Sequence, residues 1–335
     1  MNNLNHITTY YFIGIGGIGM SALARYFKAA GSVVYGYDKT PSTITSELEN
    51  LGIEIHFDDT VNAIPFDLEE KKNVLVVYTP AVPKSHNGYN ELKNLGFTIK
   101  KRSEVLGLLT KDKFCLAVAG THGKTTTSAI LGYLLAETGV AVTAFLGGIA
   151  TNYKSNLIQK GEEVIVVEAD EYDRSFLQLY PNIACITSMD ADHLDIYGDV
   201  SVLEEGFREF AAHVQKDGTL FIKEDLALEG VTVGFERNAV FSIHNVTIKS
   251  GAFHFDLSFP EGILEDIKIT LPGRHNVFNA ATALAMAIKF GVSPEKLKSV
   301  ISGFQGVNRR FTYRINRDDL VLIDDYAHHP AEIDA

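Results

Sequence analysis

The sequence predicts an α/β protein with an N-terminal Rossmann-like domain and a central P-loop domain built on a mostly parallel sheet. Two glycine-rich turns support this prediction, at residues 14–19 and 120–123. Each turn follows a short apolar run typical of a buried strand and precedes a segment with helical spacing. Because a helix N-terminus after such a turn attracts phosphate groups, we expect each domain to bind a phosphorylated ligand.

The composition is that of an ordinary globular protein with an acidic surface. The 335 residues are 46% hydrophobic and 21% charged, which suits two domains or slightly more. A formal net charge of −12 argues against nucleic acid or an anionic membrane as a partner, and no apolar run reaches transmembrane length. The two cysteines, Cys115 and Cys185, lie in apolar runs, so we expect buried reduced thiols and a cytoplasmic location.

The first glycine turn is a G-x-G-x-x-G motif in a strand–helix–strand setting. Residues 9–13 and 33–37 are typical of strands, residues 20–30 are typical of a helix, and Asp38 ends the second strand. Glycine lets the backbone approach a pyrophosphate, and the Asp38 carboxylate can accept a ribose hydroxyl. The motif favours a dinucleotide or a nucleoside diphosphate sugar as ligand. A tight turn that binds no ligand is the alternative.

Further apolar runs at residues 74–78 and 97–99 complete a small Rossmann-type domain that we predict to end near Gly107. The first run leads into a loop at the strand end where open α/β sheets bind ligands, formed by Thr79, Pro80 and Ala81. An NAD-dependent dehydrogenase would use the same glycines and Asp38. The second phosphate loop argues against this class, because an ATP-using enzyme with a nucleotide-linked substrate accounts for both loops.

The second glycine turn is a shortened P-loop of the form Gly-x-x-Gly-Lys-Thr. Val118 occupies the place of the first glycine in the longer motif. The loop's N–H groups and the following helix N-terminus favour a nucleoside triphosphate, with Lys124 at the β- and γ-phosphates and the Thr125 hydroxyl on Mg²⁺. The predicted nucleotide-binding residues are Gly120, Thr121, His122, Gly123, Lys124, Thr125 and Thr126.

Carboxylates follow the next predicted strand, at residues 163–167. Glu168 comes directly after it and is the candidate for holding the nucleotide's Mg²⁺ opposite the P-loop. Three further carboxylates are either outer ligands or a solvated acidic loop: Asp170, Glu171 and Asp173.

A histidine among aspartates, His193, comes after another predicted strand at residues 183–187. A neutral imidazole can bind a metal, and neighbouring carboxylates can orient it. The spacing alone leaves a second metal ligand and a structural histidine equally open.

Beyond residues 219–222 the sequence predicts a small β subregion of short strands with Gly and Asn turns, up to Ile269. A Pro-Gly turn then leads into an alanine-rich helix that runs through Phe290. His275 and Asn276 lie at its start, where contact with a base and simple helix capping explain them equally well.

In chain order, these motifs resemble those of the Mur ligases, ATP-dependent amide-forming enzymes of peptidoglycan precursor synthesis. The resemblance rests on residues 14–20, 120–126, 168–171, 192–193, 272–276, 309–311 and 324–330. It implies a ligase that joins L-alanine to the carboxylate of UDP-N-acetylmuramate through an acyl phosphate, with ATP and Mg²⁺. A member that recycles murein tripeptide onto the same sugar nucleotide is the near alternative.

The resemblance also implies three domains. They are a UDP-substrate domain at residues 1–107, an ATP-binding domain at 108–308, and the beginning of a Rossmann-like, amino-acid-binding domain at 309–335. By the same resemblance Lys124 would hold the β- and γ-phosphates. The first Mg²⁺ would lie on Thr125 and Glu168, and the second on His193.

The remaining implied sites lie on either side of these groups. The UDP diphosphate would face Gly16, Gly17, Ile18 and Gly19. The residues near the adenine or closing over the nucleotide would be His275, Asn276, Arg310, Asp325 and His329.

The sequence departs from the family pattern at its C-terminal end, Ala335. The third domain has strand candidates only at residues 311–315 and 320–323, within roughly 25 residues, about half the smallest usual domain. We therefore expect a truncated form of a longer protein that is inactive as a ligase on its own.

Overall fold

The computed structural model describes residues 4–69, 71–190, 200–317, 319–327 and 333. It consists of two compact units, unit 1 (Met1–Asp112) and unit 2 (Lys113–Ala335). Within the described ranges, no helix has both the length and the apolarity that a membrane crossing requires.

Unit 1 contains a five-stranded sheet. Its elements are β1 (Thr9–Ile13), α1 (Ile18–Ala29), β2 (Val33–Tyr37), α2 (Thr43–Asn50), β3 (Glu54–His56), β4 (Val74–Tyr78), α3 (Asn87–Asn94), β5 (Thr98–Lys101) and α4 (Arg102–Thr110). The spatial order β3-β2-β1-β4-β5, with every pair parallel, confirms the predicted Rossmann-like sheet. Ile13 pairs with Tyr37 on one side and with Tyr78 on the other, so three strands end level at one edge.

The apolar core of unit 1 lies along this sheet. Phe12 and Ile13 of β1 are fully buried, as expected for a parallel strand covered on both faces. Leu23 and Phe27 stand one helical repeat apart on α1, and both are buried. Because full burial of such a side chain contributes roughly 1.5–3 kcal/mol, this packing fixes α1 and the glycine turn before it against the sheet.

Unit 2 is built on a ten-stranded sheet. Its elements are β6 (Phe114–Ala119), α5 (Lys124–Glu137), β7 (Val142–Ala150), β8 (Ser155–Gln159), β9 (Val164–Glu168), β10 (Ile183–Ile186), α6 (Val200–Ala212), β11 (Thr219–Lys223), β12 (Val231–Gly234), β13 (Phe241–Lys249), β14 (Ala252–Phe259), β15 (Gly262–Ile269), α7 (Arg274–Phe290), α8 (Pro294–Ile301), β16 (Thr312–Arg317) and β17 (Leu320–Asp324). The spatial order is β15-β14-β13-β12-β11-β10-β6-β9-β7-β8, and β16 and β17 pair separately.

The large sheet is parallel from β13 through β7 and antiparallel at its edges. The edge strands β14, β15 and β8 are antiparallel, so the predicted small β subregion extends the main sheet. In the middle, Ile186 pairs with Ala119, and Val118 pairs with Glu168. The ends of β6, β9 and β10 therefore meet at one edge, where the predicted P-loop and Glu168 follow.

Helices α5 and α7 pack close to this sheet through small residues. A Cβ atom on Gly132 of α5 would lie 2.8 Å from the Cβ of Ala144 on β7, so only glycine permits this approach. Ala280, Ala283 and Ala287 of α7 are fully buried. The alanine-rich sequence is thus a packing surface of the core.

The two cysteines are buried in the middle of the large sheet, as predicted. Cys115 lies on β6 and Cys185 on β10, and both are free thiols. Burial raises the pKa of Cys115 to about 12. These thiols are therefore packing residues with almost no thiolate at neutral pH.

Candidate active site

The P-loop of unit 2 joins β6 to α5 and depends on two glycines. Gly120 has a φ of 132°, and a Cβ atom there would lie 2.2 Å from Oγ1 of Thr187. Gly123 has a φ of 81°, and its Cβ would lie 2.6 Å from Oδ1 of Asn279. Val118 is a buried residue of β6, which ends one residue later at Ala119. The strand thus occupies the position at which the longer motif has its first glycine.

The loop is braced by the end of β10. Oγ of Ser188 accepts a hydrogen bond from the His122 N–H at 2.7 Å and lies 2.9 Å from Oγ1 of Thr121. The Thr187 hydroxyl donates to the carbonyl oxygens of Ala119 and His122. The sequence did not indicate these roles of Thr187 and Ser188. Their position directly after a buried strand beside the P-loop strand was the available signal.

Lys124 is the first residue of α5, and its ammonium group turns back onto the loop. Nζ donates to the carbonyl oxygens of Gly120 at 2.6 Å and Thr121 at 3.2 Å, and to Oε1 of Glu171 at 2.8 Å. The Glu171 side chain is fully buried and that of Lys124 is 13% exposed. Burial would lower the pKa of Lys124, but the carboxylates of Glu171 and Glu168 outweigh it and raise this pKa. Lys124 is therefore charged although its side chain is mostly buried.

Glu168 is the last residue of β9, and both of its carboxylate oxygens accept hydrogen bonds. The Thr125 hydroxyl donates to Oε1 at 2.9 Å, and the Gly147 N–H donates to Oε2 at 2.9 Å. Burial raises the pKa of Glu168, against the opposing effect of the Lys124 charge. The structure thus brings together the two residues predicted to share a Mg²⁺ ion.

The donor set around Glu168 fits a magnesium ion. A hydroxyl and a carboxylate are hard oxygen ligands, and Mg²⁺ usually takes one or two such protein groups and completes its shell with water and substrate phosphates. Among the described residues no group of three or more His, Cys, Asp or Glu side chains could hold a metal. His193, the predicted second ligand, lies outside the described residues.

The start of α7 lies beside the P-loop, because Asn279 contacts Gly123. Nδ2 of Asn276 donates to the carbonyl oxygen of Pro272 at 2.6 Å, and Nδ2 of Asn279 donates to Oδ1 of Asn276 at 3.2 Å. Asn276 is therefore buried in the first turn of α7, while His275 is exposed. Their proximity to the adenine stays a prediction.

The segment from Arg309 to Ala327 is tied together by local contacts. Oδ2 of Asp325 accepts from the Phe311 N–H at 2.8 Å, and Oδ1 accepts from the Ala327 N–H at 2.7 Å. The Arg310 guanidinium lies 5.7 Å from the ring centroid of Tyr326. Asp325 and Arg310 are thus held on one folded segment, and their closure over a nucleotide stays a prediction. His329 lies outside the described residues.

In unit 1, the glycine turn between β1 and α1 is fastened by Asp38. The Gly16 N–H donates to Oδ2 of Asp38 at 2.7 Å, because β1 and β2 end level. Gly14 has a φ of 86°, and its Cβ would lie 3.3 Å from Cγ2 of Thr79. Asp38 and Thr79 therefore both adjoin the turn, and their roles in substrate binding stay predictions.

The remaining predicted residues of this site lie at the start of α1 and in the loop that follows β4. Gly17 precedes the helix, Ile18 is its first residue, and the exposed Pro80 and Ala81 follow Thr79. A Cβ atom on Gly19 would lie 2.9 Å from a terminal nitrogen of Arg102. No local sequence pattern indicated that Arg102 adjoins the glycine turn, since Arg102 lies far along the chain. Arg102 thus places a cation beside the glycine turn.

Fold and site together define an α/β P-loop protein with a separate Rossmann-like unit. A family model described as "Mur ligase middle domain" matches residues 118–287, and one described as "Mur ligase family, catalytic domain" matches residues 9–114. The chain belongs to the Mur ligase family.

Its relatives include proteins named UDP-N-acetylmuramate–L-alanine ligase. The one from Christiangramia forsetii is 58% identical over 336 residues, covering 100% of this chain and 74% of the relative. The one from Flavobacterium psychrophilum is 57% identical, covering 99% of this chain and 74% of the relative. The crystal structure of the UDP-N-acetylmuramate–alanine ligase of Thermotoga maritima superposes with a TM-score of 0.85 at 28% identity, covering 97% of this chain and 75% of that one.

Proposed function

We propose that this protein is an ATP-dependent amide ligase that joins L-alanine to the carboxylate of UDP-N-acetylmuramate in peptidoglycan precursor synthesis. The observation that carries the proposal is the identity of 55–58% to three relatives with this name, over 99–100% of the chain. The arrangement of Lys124, Thr125 and Glu168 supports it, because it suits phosphoryl transfer.

The reaction needs two steps, because oxide is too poor a leaving group for an amine to displace from a carboxylate. First, a carboxylate oxygen of the substrate attacks the γ-phosphorus of ATP, and ADP leaves with the electrons of the broken P–O bond. The product is an acyl phosphate. The amine of L-alanine then attacks the acyl carbon, and the tetrahedral intermediate expels phosphate and loses a proton to give the amide.

Charge repulsion is the main obstacle to the first step. Two like charges about 4 Å apart cost ~1 kcal/mol in water and ~4 kcal/mol at an effective dielectric of 20. We infer that Lys124 binds the β- and γ-phosphate oxygens, that Thr125 and Glu168 hold a first Mg²⁺ ion, and that His193 holds a second. Bound Mg²⁺ would supply charge neutralisation and hold the phosphate oxygens in line. The hydrogen bonds from Thr125 and Gly147 keep the Glu168 carboxylate oriented for that task.

We assign substrate binding to unit 1. The glycine turn and the N-terminus of α1 offer N–H groups to the UDP diphosphate. The proposed contacts are Gly16, Gly17, Ile18, Gly19, Asp38, Thr79, Pro80 and Ala81. The proposed domains stay at residues 1–107, 108–308 and 309–335, and the proposed location is the cytoplasm.

The second group of proposed contacts concerns the nucleotide. We infer that His275 and Asn276 lie near the adenine, beside the P-loop that α7 adjoins. Arg310, Asp325 and His329 are proposed to close over the nucleotide. The comparisons favour neither of the alternatives, the tripeptide-recycling ligase or the dehydrogenase.

The test is the substrate dependence of phosphate release from ATP. A full-length enzyme that carries this chain together with a complete third domain should release phosphate only when UDP-N-acetylmuramate and L-alanine are both present. Equal turnover without the sugar nucleotide contradicts the proposal. Ligand binding gives an independent measurement, because a ligand that binds only the native state raises the thermal unfolding temperature. UDP-N-acetylmuramate and ATP–Mg²⁺ should each raise it, whereas a rise with NAD alone would support the dehydrogenase.

A further inference from the structure

The Lys124 ammonium group has all three of its N–H donors engaged within unit 2. A lysine ammonium has three donors, and here they meet Gly120 O, Thr121 O and Glu171 Oε1 at 2.6, 3.2 and 2.8 Å. Two of the acceptors belong to the P-loop itself. To bind a phosphate, this ammonium has to give up at least one of the three partners.

Of these partners, Glu171 is the one whose charge competes with a phosphate. Its side chain is fully buried, and a carboxylate in such a place needs a cation nearby. Its position is fixed by the loop that follows β9. The Phe176 N–H donates to the carbonyl oxygen of Asp170 at 2.9 Å, and the buried Phe176 ring stacks on Phe210 with centroids 5.1 Å apart. The loop therefore holds the carboxylate in a set place.

We propose that Glu171 is a positioning residue that keeps Lys124 turned back onto its own loop until a nucleotide binds, and that the β- and γ-phosphates then replace this carboxylate as the lysine's partner. The inference rests on the proposed function in one respect, since it requires a nucleoside triphosphate at the P-loop. It adds a residue that the family comparisons do not assign. The acidic loop after Glu168 would thus hold Lys124 through Glu171 until a nucleotide binds.

The exchange has an energetic consequence for nucleotide affinity. When Lys124 turns to the phosphates, the buried Glu171 carboxylate loses the cation that lies 2.8 Å from it and faces added negative charge. This cost opposes nucleotide binding. The wild-type affinity for ATP is therefore lower than that of the same P-loop without the charge of Glu171. Replacing the carboxylate by an uncharged amide of the same shape removes the cost while keeping a hydrogen-bond acceptor for Lys124.

The experiment compares Glu171→Gln with wild type by calorimetry, using a non-hydrolysable ATP analogue with Mg²⁺. Glu171→Gln should bind the analogue about three- to tenfold more tightly, the size expected when one close charge partner is exchanged. The affinity for UDP-N-acetylmuramate should not change, which shows that the variant is folded. Asp173→Asn is the matched control, because it changes the same charge on the same segment at an exposed position whose φ of 52° suits asparagine. It should leave the affinity for the analogue unchanged.

Equal or weaker binding of the analogue by folded Glu171→Gln overturns the inference. If that variant does not fold, Glu171→Met takes its place, because it removes the charge and keeps a side chain of similar length in the buried position. This variant should bind about two- to threefold more tightly, and no gain in affinity overturns the inference. Failure of the wild-type protein to bind the analogue overturns the proposed function itself, so the two failures are distinguishable.

Discussion

The Thr125 hydroxyl donates a 2.9 Å hydrogen bond to Oε1 of Glu168, a residue 43 positions further along the chain. Because β6 and β9 are neighbours in register, the P-loop helix begins beside the end of β9. The second oxygen of Glu168 is held at 2.9 Å by the Gly147 N–H of β7. Three elements thus fix one carboxylate, and a hydroxyl oxygen lies next to it as a further cation ligand.

Removal of the Thr125 hydroxyl should affect catalysis far more than folding. Thr125→Ala deletes both a donor to Glu168 and a proposed Mg²⁺ ligand, so we expect ATP-dependent phosphate release to fall by at least about 100-fold, equivalent to ~2.7 kcal/mol. Thr125→Ser keeps the hydroxyl and should retain most of the activity. The measurement is the steady-state rate of the full-length enzyme across a Mg²⁺ titration. A Thr125→Ala rate near that of wild type would remove Thr125 from the proposed site.

A methyl group at position 147 should disturb Glu168 directly. A Cβ atom on Gly147 would lie 2.4 Å from Oε2 of Glu168, which forces the carboxylate or the strand to move. Gly147→Ala should therefore raise the Mg²⁺ concentration that gives half-maximal phosphate release by about tenfold or more, as expected when a group that orients a metal ligand is displaced.

Gly262→Ala is the control for this substitution. Gly262 begins β15, and the nearest atom to its Cβ position is Cζ of Phe259 at 3.8 Å, so a methyl group fits there without strain. It should leave the Mg²⁺ dependence unchanged. The same Mg²⁺ dependence for Gly147→Ala as for wild type would show that Glu168 does not need its present orientation.

The sequence predicts the parts of this site that follow directly from buried strands. Short apolar runs indicated β6 and β9, and parallel pairing then required the P-loop and Glu168 to share one edge. Glu171 could not be assigned, because an acidic run on a loop is usually solvated and only the tertiary fold shows that this carboxylate is fully buried. Arg102 was missed for a related reason. Its contact with Gly19 joins positions that no local pattern connects.

The ion pair between Lys124 and Glu171 should show strong coupling in a double-mutant cycle. Lys124→Met removes the cation that lies 2.8 Å from the fully buried Glu171 carboxylate, so we expect the free energy of unfolding to fall by roughly 3 kcal/mol. Adding Glu171→Gln should restore most of that loss, because the amide that replaces the carboxylate carries no charge for Lys124 to compensate. Urea denaturation of the four proteins measures the coupling, and additive effects would show that the pair is not coupled.

His86 should make the stability of unit 1 depend on pH. Its side chain is buried, and Nδ1 accepts a hydrogen bond from the Tyr89 N–H at 3.0 Å, which requires the neutral imidazole. Burial lowers the pKa of His86, and the neighbouring His56 charge lowers it further, against the opposing effect of Asp59. The unfolded chain therefore takes up a proton as the pH falls below about 6.5, while the folded chain does not until the pH reaches the lower folded-state pKa. The contribution of His86 to the stability of unit 1 is therefore fully present above about pH 6.5 and is lost as the pH falls towards the folded-state pKa.

The variant His86→Asn isolates this effect. Asparagine is a favoured N-cap residue, so it can still accept a hydrogen bond at the start of α3, but it does not titrate. Between pH 7.5 and pH 5.5 its thermal unfolding temperature should therefore fall less than that of wild type. His6→Asn, at an exposed histidine of the same unit, tests whether any histidine replacement has the same result. Parallel slopes for wild type and His86→Asn would show that His86 is protonated equally in the folded and unfolded states.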